Sequence, residues 1–297
     1  MIMTAGIAVA LSACSSSEKK SEILAPGDIL LTEFTTPFGV PPFDKIELED
    51  YMPAFKEAIA QQQKEVDDIV GQTAAPDFEN TIVALDQSGS LLRKVNAVFS
   101  GLNSANTNDE MQALSRELSP LLSKNSDDIR LNKDLFARVK TVYDNRESLN
   151  LNKEQKKLLE ETYKSFVRGG ANLDAEQQAR LRELNSEISM LQLTFGQNML
   201  KETNAFQLVI ENKDDLAGLP ESLILNAEVA ARAAGLEGKW LFTLHNPSVM
   251  PFLQYADNRA LRERFSKVIS TVEIMAMMPI TKMSCLNWLR FAWKKRS

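Results

Sequence analysis

A chain of 297 residues holds one large or two ordinary domains, each long enough to bury a core. With 44% hydrophobic and 25% charged residues it has a globular make-up, and a formal charge of −6 argues against a nucleic-acid partner, which needs clustered Lys and Arg. Two cysteines, Cys14 and Cys285, make no disulfide framework and no zinc pair at useful spacing, and the single histidine, His245, excludes any site in this chain that needs two.

The first residues, "MIMTAGIAVALSAC", form a short apolar run ending in Leu-Ser-Ala-Cys, followed by the polar "SSSEKKSE". This resembles a bacterial lipoprotein signal, in which small residues precede a cysteine that is lipidated and becomes the new N-terminus. Residues 1–13 are then expected to be a removed signal peptide, Cys14 the lipid attachment point and residues 14–33 a polar linker. The run lacks a preceding Lys or Arg, and the competing expectation is a frayed apolar terminus with a free cysteine. Nowhere else is a stretch apolar enough to cross a bilayer as a helix.

Prolines in "TTPFGVPPFDKIELEDYMPAF" forbid helix at first, and then Tyr51, Phe55, Ile59, Val66 and Ile69 mark an amphipathic helical stripe. Pro76 and Asp77 predict a break and a second helix carrying Ile82, Leu85 and Leu92. Thr107 or Asn108 is expected to cap a third, with Met111, Leu114, Leu118 and Leu121 on its core face. "LNKDLFARVKTVYDNR" and "LNKEQKKLLEETYKSFVRGG" read as further helices, the second stopped at Gly169–Gly170. The longest periodic segment opens at an Asp174/Gln177 capping box, and its Leu181, Leu184, Ile188, Leu191 and Phe195 form a heptad-like seam suited to antiparallel helix packing. Core is the expected role of all these stripes.

The period then changes. Phe206, Leu208 and Ile210 alternate, as do Trp240, Phe242 and Leu244, predicting two half-buried strands at about 205–211 and 239–245 that pair in one small sheet. A helix with Pro220 near its start and Gly235 past its end lies between them. The fold class expected is mostly α.

Catalytic patterns are scarce. There is no glycine-rich phosphate loop, no His-Glu-x-x-His and no nucleophile elbow, and the acidic residues fall beside Lys and Arg on helix faces that read as solvated surface. His245 follows a strand and precedes Asn246 and Pro247, a place for a loop hydrogen bond or a ligand rim more than for a metal.

A series of longer phrases carries more. "FTTPFGVPPFDKIELEDYMPAF", "PDFENTIVAL", "LNKDLFARVKTVYD", "LLEETYKSFVRGGANL", "FGQNML", "LAGLPESL" and "HNPSVMPFLQYADNRALRERF" run in order from Phe34 to Phe265. Together they resemble the N-terminal half of the peptidyl-dipeptidase branch of the thimet-oligopeptidase-like zinc metallopeptidases. The resemblance implies an antiparallel, bundle-like helical part of a clam-shell enzyme with a narrow channel, acting on short peptides by removing C-terminal dipeptides, with His245 at a substrate-channel rim. It also implies zinc, held in the family by a later His-Glu-x-x-His helix and a further glutamate. None of those ligands is present in this sequence, so no catalytic or metal residue is carried over and the chain alone is expected to be inactive.

The resemblance fades where "STVEIMAMMPITKMSCLNWLRFAWKKRS" begins, a basic stretch holding four of the eleven methionines and two of the three tryptophans. Methionine and tryptophan have one codon each, so a one-base shift forces several residues: Met275–Ala276 gives Gly, Met277–Met278 gives Asp, Met278–Pro279 gives Ala and Trp293–Lys294 gives Glu. The shifted text can read as an Asn/Gly turn followed by a leucine-spaced helix. Residues 34–269 are therefore expected to be the helical peptidase region and 270–297 a frameshifted tail. The competing expectation is a short interfacial helix with Leu286, Leu289 and Trp293 beside Arg290, Lys294 and Lys295. Three functional readings stand: part of an envelope-attached zinc peptidyl-dipeptidase facing the periplasm, a non-catalytic peptide-binding envelope lipoprotein, or a structural or membrane-contact protein using the basic tail. An unprocessed signal leaves the chain in the cytoplasm.

Overall fold

Side-chain oxygens start the long helices. Asn108 accepts from the Met111 amide and Asn132 from that of Leu135, while Asn152 with Gln155 and Asp174 with Gln177 form reciprocal capping boxes. The computed structural model describes residues 25–277, with side chains to residue 270. The expected signal peptide, Cys14, and the tail features from Met275 onward that rest on side chains lie outside that description. In chain order the helices begin with α1 (Asp28–Leu31), α2 (Leu48–Val70), a π-helical segment (Phe78–Val83) running into α3 (Ala84–Gln87), and α4 (Ser90–Ala105). They continue through α5 (Asp109–Arg130), α6 (Lys133–Asp144), α7 (Lys153–Arg168) and α8 (Ala175–Ala205). Strand β1 (Leu208–Ile210), α9 (Glu221–Ala233), β2 (Trp240–Phe242), α10 (Asn246–Tyr255) and α11 (Arg259–Met277) complete it. The fold is mostly α, as the periodicities predict.

Apolar burial is divided among three clusters. Tyr51, Phe55, Val95, Phe99 and Leu118 join α1, α2, α4 and α5. Ile69, Ile82, Leu135, Val139 and Leu159 join the far end of α2 to the π-segment, α6 and α7. Leu208, Phe242, Phe252 and Phe265 join the two strands to α9, α10 and α11. The strands pair antiparallel with Leu208 opposite Phe242 and Ile210 opposite Trp240. They are shorter than the alternation suggests, and Leu241 is buried on what the alternation makes the outer face, because α9 packs against β2.

Two expectations need correction. The helix expected through Ile82, Leu85 and Leu92 is interrupted at Ser88–Gly89. Gly89 has φ +69°, its amide donates to Glu65 Oε2 at 2.6 Å, and a Cβ there would sit 2.2 Å from the Gln62 side chain, so only glycine allows the chain to turn so close to α2. The seam of α8 is not full core: no side chain of this 31-residue helix is fully buried. The Gly169–Gly170 stop is observed as a paired cap, with Ala171 donating to the Phe166 carbonyl at 3.0 Å and Gly170 to that of Val167 at 3.2 Å.

Tyr51 generates a test. It is 1% exposed and meets Phe99 edge-on at 5.1 Å, yet its hydroxyl has no hydrogen-bond partner among the described residues. Burial, and then the Asp50 charge, push the phenol above its ordinary pKa. The fold thus favours the neutral phenol: this stabilisation is complete below the unfolded pKa of about 10 and is lost as pH rises through the higher folded value. Replacing Tyr51 by Phe is expected to hold stability at neutral pH or raise it by up to about 1 kcal/mol, and to lessen the loss above about pH 10. Urea unfolding at both pH values checks this, and a clear loss at neutral pH would mean that the hydroxyl makes a needed bond.

Candidate functional site

One face of α5 forms the floor of a trough. Ser115, Leu118, Leu122, Ser126 and Arg130 recur at spacings of three and four, which places them in line along the helix. α4 and α8 rise beside it, and α7 closes one end. Two adjoining cavities follow this face. The first, of about 420 Å³, has an apolar bed of Phe99, Leu118, Leu122 and Leu193 with serine hydroxyls around it. The second, of about 380 Å³, is polar and is lined by Arg130, Glu161, Ser165, Arg168 and Leu181. Asp127, Arg130 and Asn185 line both, so the two adjoin along this face.

The charges in the trough are unevenly matched. Asp127 is only 6% exposed, and its Oδ1 accepts from Asn185 Nδ2 at 2.7 Å. Asp128 takes Arg182 at 2.7 Å and Lys124 on its other oxygen. Glu161 is bonded by Lys157 at 2.7 Å, and that hydrogen bond, followed by the lysine charge, holds its carboxyl below the usual range. Arg130 and Arg168 are the last residues of α5 and α7, and neither makes a hydrogen bond or ion pair among the described residues. Sequence reasoning missed all four trough residues Asp127, Arg130, Arg168 and Asn185. Their types are those of ordinary helix surface, and only the packing of α5, α7 and α8 around one cavity brings them together.

His245 sits elsewhere. It is exposed at the start of α10, with Nδ1 3.0 Å from Thr243 Oγ1 and Nε2 3.1 Å from Asn204 Oδ1. A carboxamide oxygen only accepts, so Nε2 carries the proton and Nδ1 receives the threonine hydroxyl. Nε2 thereby ties the end of α8 to the start of α10, while Nδ1 is held by the Thr243 hydroxyl of the preceding loop. Asn204 lies eleven residues beyond Leu193 on α8, about 16 Å along its axis, so the structure does not bring His245 into the trough. Zinc, which the resemblance implies, finds no fitting donor set: among the described residues no group of three or more His, Cys, Asp or Glu could hold a metal ion. Cys14 lies outside the described residues.

No protein-family model matches the chain. A dipeptidyl carboxypeptidase of Salmonella typhimurium is 42% identical over 235 residues, which are 79% of this chain and 34% of the relative. One from Escherichia coli is 41% identical over 234 residues, again 79% of this chain and 34% of the relative. Oligopeptidase A of Escherichia coli is 32% identical over 236 residues, 80% of this chain and 35% of the relative. The chain thus spans about a third of the length of the curated relatives it matches.

The buried pair between α5 and α8 can be tested directly. Replacing Asp127 with Ala leaves the Asn185 carboxamide without its acceptor, and a loss of about 1–3 kcal/mol is expected. Chemical denaturation of the variant checks it, and an Asp127→Ala/Asn185→Leu double variant should recover part of the loss.

Proposed function

We propose, from the premise that the chain belongs to the family of dipeptidyl carboxypeptidases and oligopeptidases A, that it forms the helical N-terminal region of a zinc peptidyl-dipeptidase. In this reading the whole enzyme releases dipeptides from the C-termini of short peptides, and Cys14 carries the lipid that holds it at the bacterial envelope facing the periplasm. The observation that carries the reading is the ranking of identities, 42% and 41% to dipeptidyl carboxypeptidases against 32% to an oligopeptidase A. Bound zinc supplies a Lewis acid and an activated water to such an enzyme. Since no described residues fit it, no hydrolytic step is assigned to this chain. Its contribution is scaffold: helices that position one wall of a peptide path.

A second reading is a non-catalytic peptide-binding envelope lipoprotein; its peptide-binding part draws on the trough, which offers apolar and polar subsites and, among the described residues, no group of three metal-ligating side chains.

The purified 297-residue chain is expected to release no dipeptide from a peptide with a free C-terminus, with or without added zinc. Zinc-dependent release, followed by mass spectrometry, overturns the assignment of the chemistry to sequence outside this chain. Sequencing the gene past codon 270 separates the readings: a long frame one base over that encodes His-Glu-x-x-His supports the enzyme, and a clean stop without such a frame supports the binding protein. Intact mass of the membrane fraction reports whether Cys14 carries lipid.

A further inference from the structure

We propose that the trough over α5 binds an extended peptide segment and that Arg130 and Arg168 receive the carboxylate of an Asp or Glu side chain of that peptide. The proposal rests on the peptide-handling reading above and adds to it a place and a preference.

Length comes first. From Ser115 to Arg130 the floor spans fifteen residues of α5, about 22 Å, which accommodates about six or seven residues of extended chain. The lining suits such a ligand. Phe99, Leu118, Leu122 and Leu193 offer a bed for apolar side chains, and the serines around them offer hydroxyls that both donate to and accept from a peptide backbone.

Charge gives the preference. Two of the nearby acids are paired with cations, Asp128 with Arg182 and Lys124 and Glu161 with Lys157, while Asp127 accepts a hydrogen bond from the neutral Asn185 carboxamide. Arg130 and Arg168 have no such partner among the described residues, although Arg168 lies close enough to Glu161 to lower its pKa slightly through space. Each guanidinium presents five N–H donors in a planar fork that matches a carboxylate. A cation in the last turn of a helix is favourable with no ligand at all. That effect accounts for one arginine on each of α5 and α7, but not for their meeting across a cavity. Arg130 lines both cavities, where the two adjoin, and Arg168 lines the one bounded by α7. A carboxylate reaching Arg130 from a chain that runs through comes from a side chain, not from a terminus.

The test uses the full chain without zinc and eight-residue fluorescent peptides with one central Glu and an amidated C-terminus, read by anisotropy. The Glu peptide is expected to bind at least about tenfold more tightly than its Gln counterpart, and the preference should shrink as salt rises. A R130Q/R168Q double variant, with an unchanged melting profile, should bind both peptides equally. Equal binding of the Glu and Gln peptides to the unaltered chain overturns the proposal, as does a preference that survives in the double variant. So does a preference that appears only when the C-terminus is free, because it assigns the arginines to a terminal carboxylate. Binding without discrimination sinks the arginine preference and leaves the peptide-handling reading standing, whereas no binding of any peptide sinks that reading with it.

Discussion

The position of α8 depends on polar bonds to α5, above all the half-buried hydrogen bond from Asn185 to Asp127. A 31-residue helix with no fully buried side chain cannot be fixed by apolar packing alone. Arg182 on Asp128, Arg116 on Gln197, and Gln197 on the Gln112 carbonyl repeat the same device along the contact. A half-buried seam permits sliding, but each of these bonds has one geometry, so together they set the register of the two helices. The trough is the consequence. It exists because α8 is held beside the upper face of α5 by side-chain bonds instead of closing over it with interdigitated leucines.

A similar clamp shapes the first half of the chain. Arg138 on α6 is 8% exposed and donates to the carbonyls of Gln72 and Ala74 and to Asn80 Oδ1. Asn80 in turn caps the Asp77 amide, so one guanidinium gathers the end of the loop after α2 and the start of the π-segment. A π-turn is poorly supported by its own hydrogen bonds and is usually found where neighbours impose it. Here Thr81 and Ile82 are both fully buried, and the segment is held from two sides by Arg138 and by the cluster around Ile69 and Leu159. The charge of Arg138 is tolerated in the interior because oxygens accept from both of its terminal nitrogens, although its Nε–H has no partner among the described residues.

What could be read from the sequence follows from how local the determining interaction is. Asn108, Asn152 and Asp174 bond to amides three residues on, so the helix starts they make are visible in short strings. The stripe Tyr51, Phe55, Ile59, Val66, Ile69 is visible for the same reason, and all but the half-buried Ile59 are buried. The break at Gly89 was not, because its cause is the distant approach of Gln62 and Glu65. The α8 seam has a core-like period, yet period says which residues share a face and not how deeply that face is covered. Asp127 and Arg138 read as helix surface and are buried, since their partners Asn185, Gln72 and Ala74 are more than fifty residues away.

Net charge illustrates the same limit in electrostatic terms. A formal −6 rules out a broad phosphate-tracking surface, but it is a sum over the whole chain, and a ligand meets only the local field. Many of the acids are answered within their own helices, as in Lys140–Asp144, Lys157–Glu161 and Glu160–Lys164. Such exposed pairs add only a few tenths of a kcal/mol each, so they matter little to stability. Their effect is on availability. An acid already bonded to its neighbour is a weak competitor for a more distant arginine, and where α5 and α7 end together two guanidinium groups are left facing a cavity. An acidic protein can in this way present a site that favours an anion, and the arrangement of charge along four helices decides it, not the total.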